Sequence, residues 1–134
     1  MLVGGRPRVI ASGSSANQRQ LKAWDVALRE AALAAVGVCT APPFVGVPLR
    51  LVIEFRMARP AGHWGKGKRS GQLVPSAPQY PTTKPDSSKL LRATEDSLIG
   101  IVFDDDSRIV DTHVTKVYAT PGREGATLTV ERMP

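Results

Sequence analysis

Residues 84–116 read KPDSSKLLRATEDSLIGIVFDDDSRIVDTHVTK. Asp86 precedes a segment whose apolar residues recur at helical spacing, and the triplet Asp104-Asp105-Asp106 precedes a strand-like run. The chain has a formal net charge of +6, and carboxylates placed close together repel one another unless a cation lies between them. The stretch therefore predicts a helix, then a strand, and a divalent-metal site within a basic protein that suits a nucleic-acid backbone.

The surrounding sequence predicts an α+β fold with two helices packed on a small mixed sheet. The first helix is expected from about residue 17 to Val36 and the second from about Ser87 to Ile99, because glycines follow both. Strands are expected at 47–57, 109–118 and 126–132, where apolar and polar residues alternate or β-branched residues concentrate. No strand is predicted in residues 1–14.

Residues 58–83 show no consistent period and contain the basic residues Lys66, Lys68 and Arg69. A loop of this length in a compact domain is usually functional or disordered. His63-Trp64, next to these cations, can stack on an unpaired base while the cations hold phosphates. A solvated loop is the alternative interpretation, and His63 and His113 have no partner spacing that favours a metal site.

The composition fits a single domain spanning residues 1–134. The chain has 42% hydrophobic and 22% charged residues, and no apolar run approaches the roughly 20 residues of a membrane-spanning helix. One cysteine cannot form an internal disulfide, which favours a reducing, cytoplasmic location. The 18 Lys and Arg against 12 Asp and Glu favour a polyanionic partner.

The segment from Lys84-Pro85-Asp86 through Arg92, the acidic run and the strand ending at Lys116 resembles the RusA family of Holliday-junction resolvases. Members are small dimeric endonucleases, often encoded by phages, with an Asp-x-Asp-Asn-x-x-Lys segment that opens a helix and an acidic run before a strand. Gly5-Arg6-Pro7-Arg8 matches another frequent feature of the family. The resemblance is strong over residues 82–118, moderate over 5–36 and 47–60, and slight elsewhere.

The resemblance implies roles for individual residues. Asp86 matches the first metal-binding aspartate, and Asp106 matches the acid before the strand, with Asp105 as a second candidate. Arg92 stands at the position of the catalytic lysine. The chain departs from the family where Ser88 replaces the second aspartate and Lys89 replaces the asparagine. Loss of a carboxylate should weaken Mg²⁺ binding, although the Ser88 hydroxyl can still hold a metal-bound water.

The implied cofactor is Mg²⁺, with Mn²⁺ as a possible substitute. The implied partners are branched DNA with four arms and a second copy of the chain in a homodimer, with no membrane. Expected DNA contacts are basic residues near the family motifs and in the loop: Arg6, Arg8, Lys66, Lys68, Arg69, Lys84 and Lys89.

Each of these features has a plainer interpretation when it is taken alone. Asp86 is then a helix N-cap, the acidic triplet is a solvated turn, and Arg92 pairs with Asp96 one turn later. Two other functions also remain open. One is a branched-DNA-binding protein without catalysis, with Ser88 marking the lost chemistry. The other is a metal-binding protein unrelated to nucleic acid, which the charge balance disfavours.

Overall fold

The computed structural model describes residues 8–11, 18–37, 41–83 and 86–134, with residues 8–11 and 18–21 described as backbone. The elements, in chain order, are β1 (Arg8–Ala11), α1 (Gln18–Val36), β2 (Leu49–Met57), α2 (Ser87–Leu98), β3 (Ile109–Tyr118) and β4 (Gly125–Arg132). Both predicted helices and all three predicted strands are confirmed, with ends that differ by one or two residues.

The four strands form one mixed sheet in the order β1-β4-β2-β3. β2 and β3 run parallel, whereas β4 pairs antiparallel with both β2 and β1. A parallel pair needs a crossover connection, and α2 lies within the connection from β2 to β3. This topology brings the end of α2 close to the start of β3, where the acidic triplet lies.

The core lies between one face of the sheet and the two helices. On β2 the inward residues alternate with outward ones as predicted, and Leu49, Leu51, Ile53 and Phe55 are buried. Trp24 is also buried and packs against Phe55, with ring centroids 6.3 Å apart. Fully burying an apolar side chain of this size contributes about 1.5–3 kcal/mol. The β2 register is therefore strongly specified, and with it the position of β3.

A polar contact joins the two helices. The buried hydroxyl of Ser97 on α2 donates a hydrogen bond to the carboxylate of Asp25 on α1. This hydrogen bond is the main cause that lowers the pKa of Asp25, and Arg29 adds to the effect with an ion pair of 2.9 Å. Besides their apolar packing, the helices are thus held together by a charged hydrogen bond, which helps to fix α2 on the sheet.

One strand was not expected from the sequence. β1 was not predicted, because its four residues carry too little periodic signal; its strand conformation comes from pairing with Ala126–Thr129 of β4. Residues 58–83 contain no α-helix or strand, but two short 3-10 turns and a bridge between Trp64 and Leu73 order the loop locally. This loop therefore has a defined shape.

Candidate active site and nucleic-acid interface

Asp105 and Asp106 lie at the 3-10 turn that immediately precedes β3, and both are exposed. The Asp105 carboxylate accepts a hydrogen bond from the Ser107 N–H at 3.0 Å. That bond, followed by a side-chain hydrogen bond with Asp106, lowers the pKa of Asp105. The predicted pair of carboxylates is therefore brought together by a turn that also stabilises the ionised form of Asp105.

Asp104 has a different, structural role. Its carboxylate forms an ion pair with Arg108 at 3.0 Å and accepts a hydrogen bond from the Gly46 N–H at 3.2 Å. The hydrogen bond from Arg108 is the main cause that lowers the pKa of Asp104. Asp104 thus links the turn to the connector before β2, which leaves Asp105 and Asp106 as the solvent-facing members of the triplet.

One face of α2 borders a shallow cavity of about 350 Å³, lined by Ser88, Lys89, Leu91, Arg92 and Glu95. Ser88, Arg92 and Glu95 are spaced at i, i+4 and i+7, so they lie along one side of the helix. Three predicted residues, Ser88, Lys89 and Arg92, therefore share one surface. A guanidinium and a hydroxyl in an open cavity can contact a phosphate from the same side.

Glu95 is the residue that the sequence analysis missed. Burial raises its pKa, and the carboxylates of Asp106 and Asp96 raise it further, while Arg92 opposes the shift. The charge of Asp106 therefore acts on the second half of α2, which ends a few residues before the acidic turn. The sequence did contain a signal, because Glu95 lies three residues after Arg92 on the same side of the helix.

Asp86 occupies the N-cap position of α2, but its side chain accepts no capping hydrogen bond from the helix backbone. The plainer N-cap interpretation is therefore right about position and wrong about the bond. The carboxylate is exposed at the start of α2. The rise of the helix separates the backbones of Asp86 and Glu95 by about 13 Å.

The predicted metal ligands are chemically suitable but are not gathered. Carboxylate and hydroxyl oxygens are ligands that Mg²⁺ accepts. Within the described parts of the chain, however, no three His, Cys, Asp or Glu side chains lie close enough to hold a metal ion. Asp105 and Asp106 form one group near Glu95, and Asp86 with Ser88 forms another at the start of α2. A metal site that both groups share would require the distance between them to become shorter.

The predicted basic residues of the loop lie on a small hairpin, hereafter the basic hairpin (residues 63–74). Lys66, Lys68 and Arg69 are all exposed at its tip. Of the other predicted DNA contacts, Lys89 borders the cavity of α2, whereas Arg6 and Lys84 lie outside the described residues. Arg8 lies in β1, where only the backbone is described.

Both histidines have identifiable structural contacts. The His63 ring meets the Tyr118 ring edge-on, with centroids 5.3 Å apart. His113 Nε2 lies 3.1 Å from the Asp111 carboxylate on the exposed face of the sheet. Each histidine ring therefore has a protein partner in the structure.

A protein-family model described as endodeoxyribonuclease RusA matches residues 3–130 of the chain. No curated protein is similar enough in sequence to count as a match. None of the helices in the described residues is long and apolar enough to cross a membrane. The family match includes every element of the fold up to the last residues of β4, and it includes both acidic groups.

Proposed function

Because the chain belongs to the RusA family of endodeoxyribonucleases, we propose that it is a Mg²⁺-dependent homodimer that resolves four-way DNA junctions by paired symmetric nicks. The family accounts for phosphodiester hydrolysis and for a branched DNA substrate, and nucleases of this kind use a divalent metal. The observation that supports the proposal most strongly is the match over residues 3–130. The exposed Asp105–Asp106 pair agrees with it, since Asp106 acts electrostatically on Glu95, which lines the same cavity as Arg92.

In this proposal the carboxylates and the guanidinium have separate tasks. Asp86, Asp105 and Asp106 would supply oxygen ligands for a divalent metal, and the Ser88 hydroxyl would hold a water molecule beside it. A bound metal ion would neutralise phosphate charge and lower the pKa of water. Arg92 stays protonated at any working pH, so it stabilises the negative charge that builds up on the phosphate rather than donating a proton.

The proposed DNA contacts are distributed along the chain. Lys89 borders the same cavity as Arg92, where it can hold the phosphate next to the scissile one. Lys66, Lys68 and Arg69 extend the positive surface onto the basic hairpin, and Arg6, Arg8 and Lys84 are proposed as further contacts. A two-fold dimer suits a two-fold junction, because two identical sites then address opposed strands.

A second candidate function is a branched-DNA-binding protein whose catalysis is weak or lost. Two observations favour it: Ser88 replaces a carboxylate, and no three acidic or histidine side chains of the described residues gather around one point. Such a protein would keep its salt-sensitive affinity for branched DNA, because phosphate contacts carry that affinity.

Cleavage of a synthetic four-way junction in Mg²⁺ and in Mn²⁺ separates the two candidates. The variants are Asp86→Asn, Ser88→Asp and, as the matched control, Asp96→Asn, which removes an exposed acid from the same helix. We expect wild-type nicking that is lost in Asp86→Asn and kept in Asp96→Asn. Binding without nicking, with nicking gained in Ser88→Asp, would establish the second candidate. Absence of both binding and nicking in every variant would contradict both.

A further inference from the structure

Two backbone hydrogen bonds define the basic hairpin. The Gly65 N–H donates to the Gln72 carbonyl at 2.8 Å, and the Val74 N–H donates to the His63 carbonyl at 3.0 Å. These bonds flank the antiparallel bridge between Trp64 and Leu73. Trp64 and Leu73 are therefore a non-hydrogen-bonded pair, the kind in which the two side chains lie closest together on one face.

The tip of the basic hairpin is tightly constrained. A 3-10 turn at Gly67–Arg69 is closed by the Ser70 N–H, which donates to the Gly67 carbonyl at 3.1 Å. A Cβ atom at Gly65 would lie 2.5 Å from the Arg69 carbonyl oxygen, so only glycine fits there. Because the turn is set by its own backbone, the three basic side chains are displayed from a preformed scaffold.

Contacts with the end of β3 hold the basic hairpin on the protein body. The Arg59 guanidinium lies over the Tyr118 ring at 4.2 Å from its centroid, and the same ring meets His63 edge-on. Arg59 also donates a hydrogen bond to the Pro78 carbonyl at 2.8 Å. Cation–π contacts of this kind contribute about 0.5–1 kcal/mol at exposed sites. The arrangement does not depend on DNA for its shape.

The charged residues of this region are all basic. Residues 55–85 contain six Lys and Arg and no Asp or Glu. The segment is attached to β3 by a hydrogen bond from Lys116 Nζ to the Thr83 carbonyl at 2.7 Å. In sequence it leads directly to Asp86 at the start of α2. The region is therefore complementary to a polyanion, and it is continuous in sequence with the proposed catalytic helix.

The same segment also exposes apolar side chains. Leu73 is 47% exposed and Tyr80 is 57% exposed, and Trp64 is only half-buried. A continuous duplex stacks its bases and presents phosphates and groove edges, whereas a branch point exposes the faces of terminal base pairs. Apolar side chains can be inserted against such faces, and stacking of this kind is tolerant of sequence.

We propose that the basic hairpin recognises the centre of a branched DNA: Leu73, backed by Trp64, packs against the open base-pair face while Lys66, Lys68 and Arg69 hold the adjacent phosphates. This inference rests on the proposed function, since it takes branched DNA as the substrate, and it assigns the preference for branched over linear DNA to one element. The cations supply affinity for any DNA, and the apolar pair supplies the discrimination.

The test compares binding of a four-way junction and of a linear duplex of equal length, without divalent metal so that no cleavage occurs. The variants are Leu73→Gln, Leu73→Met, which keeps the apolar volume, and Leu33→Gln as the control. Leu33 is 52% exposed on α1, which matches Leu73. We expect Leu73→Gln to weaken junction binding roughly 10-fold with little change for the duplex, while Leu73→Met and Leu33→Gln bind as the wild type does.

A second readout uses 2-aminopurine placed at the branch point. Wild-type binding should change its fluorescence, and Leu73→Gln should abolish that change even at saturating protein. Lys68→Gln should weaken junction and duplex binding alike, with Lys22→Gln as the matched control on α1. Equal losses on both DNAs for Leu73→Gln, or an unchanged 2-aminopurine signal with wild type, would overturn the proposal.

The two proposals can fail separately. Because binding is measured without metal, a protein that recognises the branch point through Leu73 but never nicks it would refute the nuclease proposal alone. A protein that nicks junctions normally when Leu73 is Gln would refute the role of the basic hairpin and leave the nuclease proposal intact.

Discussion

At the scale of single residues, the three consecutive aspartates have different environments. Asp104 is engaged by Arg108 and the Gly46 N–H, Asp105 accepts a bond from Ser107, and Asp106 acts electrostatically on Glu95. The acidic run alone could not distinguish these roles, because they depend on which neighbours the turn brings within reach. The family resemblance selected Asp105 and Asp106, and the structure gives a physical reason to set Asp104 apart.

This separation predicts opposite effects for two isosteric substitutions. Asp106→Asn should reduce junction nicking by roughly 100-fold or more, since it removes the charge of a proposed metal ligand, and should leave thermal stability nearly unchanged. Asp104→Asn should lower the melting temperature instead and leave most of the nicking. Nicking assays and thermal denaturation of both variants check this, and a larger catalytic loss in Asp104→Asn than in Asp106→Asn would contradict it.

The effect of Asp104→Asn should also depend on pH. The folded-state pKa of Asp104 is lowered from 3.8, so its carboxylate stabilises the fold above the unfolded-state pKa. That contribution is lost as the pH falls through the folded-state pKa. Melting temperatures of wild type and Asp104→Asn should therefore differ at pH 7 and converge as the pH falls through the folded-state pKa of Asp104.

The contribution of Glu95 to stability should depend on pH in the opposite direction. Its folded-state pKa is raised above 4.5, mainly by burial and then by Asp106 and Asp96. Stability associated with its protonated form is present below the unfolded-state pKa and is lost as the pH rises through the folded-state pKa. At pH 7 without metal, Glu95→Gln should therefore raise the melting temperature by roughly 2 °C.

Glu30→Gln on α1 is the control for Glu95→Gln. Because Glu30 is exposed, its substitution should not change the melting temperature. Thermal denaturation at pH 4 and at pH 7 provides the comparison. A stabilisation by Glu95→Gln that is equal at both pH values, or a destabilisation at pH 7, would mean that the fold does not disfavour the charged form of Glu95.

At the scale of elements, the basic hairpin depends on one glycine. Gly65→Ala would place a Cβ atom 2.5 Å from the Arg69 carbonyl oxygen, whereas a Cβ at Gly62 would meet no heavy atom within 4 Å. We expect Gly65→Ala to open the hairpin, so that hydrogen exchange at the Gly65 and Val74 amides rises roughly 10-fold or more. Gly62→Ala should leave both amides protected, and equal protection in the two variants would contradict the tight turn.

The same scale shows what local sequence can and cannot predict. α2 and β2 were predicted nearly to the residue because their apolar residues recur at periods that only one kind of element satisfies. β1 and the basic hairpin were not, since Arg8–Ala11 becomes a strand only beside β4, and the Trp64–Leu73 bridge joins residues in a Gly-rich and Pro-rich segment. These elements form through pairing between residues that are separated in sequence, and the periodicity of apolar residues does not predict such pairing.

At the scale of the whole molecule, the net charge of +6 predicts DNA binding that weakens steeply with salt. Each phosphate contact contributes about 0.9 to the slope of log affinity against log salt on duplex DNA. Replacing Lys66, Lys68 and Arg69 together by Gln should therefore reduce that slope by about 2–3. Binding measured between 50 and 200 mM salt provides the check, and an unchanged slope would show that these side chains do not contact phosphates.

The candidate site was predicted only in part, because its geometry depends on how the whole molecule packs. The ligand types and their order along the chain followed from the family motif, and Ser88, Lys89 and Arg92 do share one surface. The distances between the group at the start of α2 and the group at the start of β3 depend on how the crossover packs on the sheet. Glu95 enters the site through that packing, which the motif does not describe.

The measurement that tests the central claim most directly is nick mapping on a four-way junction labelled in turn on each of its four strands, with and without Mg²⁺. The account predicts Mg²⁺-dependent nicks at matching positions in two opposed strands, no nicks in a linear duplex, and loss of both nicks in Asp106→Asn. Metal-independent nicks, nicks in one strand only, or equal cutting of the linear duplex would contradict it.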